Sequence, residues 1–72
     1  MVMRYEYEIE PRPLDIGGGW HLRLLDNGLV VDHGDYPLSV FAEAGSRKEV
    51  EKLAYLTADQ DGVLWVARQL RA

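Results

Sequence analysis

Seventy-two residues, eight basic and twelve acidic for a formal net charge of −4, and no cysteine bound the problem. So short a chain folds as one small domain, residues 1–72, with a thin margin of stability. The missing cysteines exclude disulfides and thiolate–metal sites and suggest a reducing, cytoplasmic setting. The acidic balance disfavours binding to phosphate backbones.

Hydrophobic residues make up 47% of the chain, with two Trp and four Tyr, enough to expect a packed core. No apolar run approaches the roughly 18–20 residues that cross a bilayer, so no membrane partner is expected. Met1–Tyr5 lacks the apolar centre of a signal peptide.

Residues 2–10 alternate strictly, with Met3, Tyr5, Tyr7 and Ile9 on one face and Arg4, Glu6, Glu8 and Glu10 on the other. That period of two predicts a strand, ended by Pro11-Arg12-Pro13. Residues 14–19 read as a loop with three glycines ahead of Trp20. Trp20–Asp26 and Leu29 to about Tyr36 read as the two arms of a hairpin. The intervening Asn27-Gly28 suits a type I′ turn. This turn predicts that Asp26 faces Leu29, Leu25 faces Val30, Leu24 faces Val31 and Arg23 faces Asp32. The first strand is expected beside the second, although its nine-residue connection also permits a crossover. Gly34 suggests a bulge or the end of pairing.

Residues 37–45 suit an edge segment, a helical turn opened by Pro37, or a packed loop. Ser46 with Glu49 forms a helix-start pattern. Beyond it Leu53, Leu56, Gln60, Val63, Ala67 and Leu70 recur at spacings of three and four. The stripe predicts one helix over about 46–70, bent near Gly62, with this face on the sheet. The run Asp59-Gln60-Asp61-Gly62 keeps a helix–turn–helix open as the alternative, because a mid-helix Gly costs roughly 0.8–1 kcal/mol. The fold class is therefore α+β, a three-stranded antiparallel sheet covered by a carboxy-terminal helix.

No residue pattern carries catalysis or a cofactor. His33 between Asp32 and Asp35, with His21 in the facing arm, falls short of a metal site because adjacent strand residues point to opposite faces. Asp59-x-Asp61-Gly62 lacks the glycine position and bidentate Glu of a calcium loop. Gly17-Gly18-Gly19 precedes a strand, where a phosphate cradle precedes a helix. Ser39, Ser46 and Thr57 suit caps and loops better than nucleophiles. Tyr5 and Tyr7 alternate with glutamates on a face the helix must cover, which argues against base stacking.

The far sheet face does invite binding. Leu25 and Val30 sit opposite each other beside Arg23 and Asp32, an apolar pair ringed by charge. These four residues are the candidate interaction site, and the two open sheet edges offer a route to a homodimer.

Met3–Glu10, Gly18-Gly19-Trp20, and Gly28 through Gly34-Asp35 together resemble the opening of HicB-like antitoxin domains. That resemblance implies three strands and a helix, and a basic nuclease as partner. Gly17–Leu25, Gly28, Tyr36-Pro37 and Trp65 are also similar to a pattern in small bacterial proteins, a likeness that implies no activity. The expectation is a small non-enzymatic, cytoplasmic protein-interaction module, with an antitoxin-like protein and a sheet that binds nucleic acid as alternatives.

Overall fold

A computed structural model describes residues 3–71. Strands β1 (Tyr5–Pro11), β2 (Trp20–Asp26) and β3 (Leu29–Tyr36) form an antiparallel sheet in the order β1-β2-β3, and helix α1 (Arg47–Arg71) follows. Of the two connections considered, the sheet takes the neighbouring one, with Tyr7 opposite Leu24 and Ile9 opposite Leu22.

Asn27 and Gly28 take φ of 51° and 82°, the positive pair that a type I′ turn requires. The register runs as the turn dictates for Asp26–Leu29 and Leu25–Val30, and then shifts. Leu24 lies opposite Asp32 and Arg23 opposite His33, so Val31 has no partner and is a bulge residue. The expected pairs Leu24–Val31 and Arg23–Asp32 do not form. Every residue of β3 beyond the bulge sits one position out of the turn's register. Gly34 neither bulges nor ends the strand. It pairs with Leu22, and the ring of Tyr36 lies over the space its side chain would fill.

Residues 37–45 resolve toward the helical option, a 3-10 helix at Leu38–Ala44 entered from Pro37. The glycine loop holds a shorter 3-10 turn, Leu14–Ile16. Arg12 ties this loop down by donating to the carbonyls of Gly18 at 2.7 Å and Ile16 at 3.3 Å. Gly19, at φ +84°, passes so close to β3 that a Cβ would fall 2.1 Å from the carbonyl oxygen of Tyr36.

Ser46 opens α1 as expected. Its hydroxyl oxygen accepts from the Glu49 amide at 3.4 Å, and its O–H donates to the Glu49 carboxylate at 3.2 Å. The helix then runs unbroken to Arg71, through Gly62. The face it lays on the sheet is not the leucine stripe. Its buried residues are Val50, Ala54, Ala58 and Gly62, one every four positions, and the leucine stripe points away.

Volume and hydrogen bonding together explain the choice. The sheet supplies the bulk: Tyr7, Ile9, Leu22, Leu24 and Tyr36 pack with Trp65 around Ala58. Small residues opposite such side chains let the helix approach closely, whereas leucines there would overfill the space. The half-buried phenols of Tyr7 and Tyr36 also need acceptors. Asp59 and Asp61 flank the small-residue stripe on its two sides. Tyr7 donates to Asp59 at 2.7 Å and Tyr36 to Asp61 at 2.5 Å. A helix turned to bury the leucines would carry Asp61 away from Tyr36.

The apparent helix-breaking run Asp59-Gln60-Asp61-Gly62 is thus the seat of the helix on the sheet. A Cβ at Gly62 would fall 2.5 Å from Cδ2 of the Tyr7 ring. At either end an edge-to-face aromatic pair closes the layer, Tyr5 with Trp65 at 5.8 Å and Trp20 with Tyr55 at 5.0 Å. The Trp20 indole N–H also donates to the Glu51 carbonyl at 3.1 Å.

Candidate interaction surface

Two surfaces remain uncovered, the far face of the sheet and the outward face of α1. The far face is a polar lattice. Arg23, in the central strand, donates to Glu8 at 2.7 Å and lies 3.6 Å from Glu10. His21 Nδ1 lies 2.6 Å from Asp35 Oδ1, and Arg12 approaches the same oxygen at 3.7 Å. The hydrogen bond from His21 chiefly holds the Asp35 carboxyl below its ordinary range, with the charges of His21, Arg12 and His33 adding to it.

The two histidine rings do come together, 5.4 Å between centroids, on open sheet surface. Among the described residues no three His, Cys, Asp or Glu side chains converge as metal ligands.

The four residues expected to form an interaction patch are dispersed. Arg23 is engaged by Glu8 and Glu10. Leu25 lies in the central strand between Glu6 and Val30 and is only 5% exposed, so it offers no apolar surface. Val30 is half exposed. Asp32, moved by the bulge, lies opposite Leu24 on the helix side and accepts from the His33 amide at 2.8 Å. The structure therefore brings Leu25 and Val30 together and separates Asp32 from Arg23.

The outward face of α1 is the larger apolar surface. Leu53, Leu56, Val63, Leu64 and Leu70 are between 42% and 68% exposed. At 100° per residue, positions 53, 56, 60, 63, 67 and 70 cluster on the side of the helix opposite Ala54 and Ala58. Their alternating steps of three and four make an a/d heptad seam, with Gln60 as its one polar member.

On one flank the 3-10 helix Leu38–Ala44 lies along Leu53 and presents Val40, also exposed. On the other, Val63 and Val66 border a shallow apolar groove against Met3, Tyr5 and Tyr7 of the β1 side. Sequence periodicity found Leu53, Leu56, Val63 and Leu70 and assigned them to the core. The signal for their outward direction was the second, small-residue stripe at Val50, Ala54, Ala58 and Gly62.

No family model matches the sequence, and neither a curated protein nor a solved structure does.

Proposed function

We propose that this protein is a small non-enzymatic interaction module and that its binding element is the outward face of α1. One observation carries the reading: an unbroken 25-residue helix spends its small residues on its own core and leaves its leucines at heptad spacing in solvent. Exposed apolar surface concentrated in one stripe is the usual mark of a protein-binding site. The state of the sheet face supports the same assignment. Arg23 is spent on Glu8 and Glu10, His21 lies against Asp35, and the central leucine is covered.

The test compares association of the tagged wild-type chain, with itself and with proteins of its native cell, against two variants. Leu56→Asp on the helix face is expected to abolish it, and Val30→Lys on the sheet face to leave it intact. Retained association in Leu56→Asp, with loss in Val30→Lys, would move the site back to the sheet.

A further inference from the structure

The geometry points to a second copy of this chain as the occupant of the outward face, the two α1 helices packing in parallel about a two-fold axis. This rests on the reading of that face as the binding element, and it names the partner.

Self-complementarity is the first argument. In a parallel pair each a and d residue meets its own counterpart, so the amide of Gln60 lies beside the amide of the partner's Gln60. Each carries donors and an acceptor, and the two satisfy one another inside the seam. An antiparallel pair along the whole stripe sets Gln60 against Val63 of the second copy, twice, and leaves both amides against apolar neighbours.

Charge is the second. No residue at positions 53, 56, 57, 60, 63, 64, 67 or 70 is charged. The flanking pairs of a parallel register are Lys52 with Thr57, Asp59 with Leu64 and Val66 with Arg71, and none sets like charges together.

Area is the third. Leu53 to Leu70 runs about 26 Å, and half the circumference of a helix is about 17 Å. The face thus offers ~450 Å² per copy and ~900 Å² in the pair, close to the ~1,000 Å² of a biological interface. Val40, 69% exposed beside Leu53, extends the patch. A weak, reversible dimer, looked for over roughly 1–100 µM, suits an interface at the low end of the size range, where area alone sets no affinity.

Sedimentation equilibrium of the full chain across that concentration range, with circular dichroism as the check on folding, reads the dimer directly. The wild type is expected to pass from one chain to two. Leu56→Asp, at a half-exposed position, is expected to weaken the dimer at least ~100-fold. Gln60→Leu removes the polar layer without touching the sheet contact and is expected to tighten it about tenfold.

The chain has no cysteine, so single cysteines report the orientation cleanly. Leu56→Cys and Ala67→Cys are each expected to form disulfide-linked dimers with themselves on oxidation. Cross-linking only when the two variants are mixed means antiparallel helices and overturns the parallel seam. A wild type that stays monomeric well above 100 µM overturns self-association. If Leu56→Asp still abolishes binding to another protein, the interaction module survives that result. If it changes nothing, both readings fall.

Discussion

Replacing Gly62 with alanine sets two magnitudes against each other at one atom. In an exposed helix the change is worth about 0.8–1 kcal/mol of added stability. Here the new methyl falls 2.5 Å from Cδ2 and 2.6 Å from Cγ of Tyr7, where carbon atoms prefer about 3.5–4.0 Å. The ring has little room to yield, because Cγ is one bond from the Cβ and the hydroxyl is held by Asp59. Either α1 lifts from the sheet or Tyr7 gives up that hydrogen bond, and overpacking of this kind costs about 1–3 kcal/mol.

The net expectation is destabilisation by about 1–2 kcal/mol, or roughly 5–15 °C in Tm for a domain of this size. Urea unfolding of Gly62→Ala, Tyr7→Ala and the double variant isolates the contact. In the Tyr7→Ala background Cγ and the ring are gone, and Gly62→Ala is expected to raise stability by about 0.8–1 kcal/mol. A reversal of sign between the two backgrounds is the signature. If Gly62→Ala raises Tm in the wild-type chain and the coupling is near zero, the helix does not seat on Tyr7 as described.

Two further outcomes follow from the same contacts. Gly19→Ala combines a φ of +84° with a Cβ only 2.1 Å from the Tyr36 carbonyl oxygen. It is expected to cost more than ~2 kcal/mol, against about 1–2 kcal/mol for the backbone conformation alone; a thermal melt within a degree of wild type would contradict that close approach. Stability is also expected to fall as the pH rises above about 10, the ordinary value of tyrosine. The hydrogen bond to Asp59 raises Tyr7, and burial followed by the bond to Asp61 raises Tyr36. Their contribution is therefore complete below the unfolded pKa and drains away as the unfolded phenols ionise first. Replacing both by Phe is expected to flatten that alkaline limb in urea titrations, and an unchanged limb would refute the assignment.

Much of the sheet was legible because its signals are local. Strict alternation marks β1, Asn27-Gly28 names its own turn, and two prolines stop the first strand. The register slip at Val31 had no such mark, since a bulge depends on how two strands coil together. Gly34 drew the suspicion instead, although its role is to leave room beneath Tyr36. The helix failed in a more instructive way. Periodicity reports that an apolar stripe exists, and large side chains dominate that signal. Which stripe is buried depends on the volume and hydrogen-bonding needs of the opposing layer, and those are set far off in sequence, at Tyr7, 52 residues from Asp59, and at Tyr36, 25 residues from Asp61. The expected interaction patch went the same way, because the bulge that separated Asp32 from Arg23 is invisible at the turn.

The two phenols sit on opposite outer strands and reach the helix from either side within a single turn. Together they act as a pair of stays that stop it rolling about its long axis. A roll of one residue's pitch would slacken one stay and drive the other ring into the backbone. The bearing of the exposed leucines is therefore decided at the sheet, and whatever meets them meets a blade whose angle is already locked.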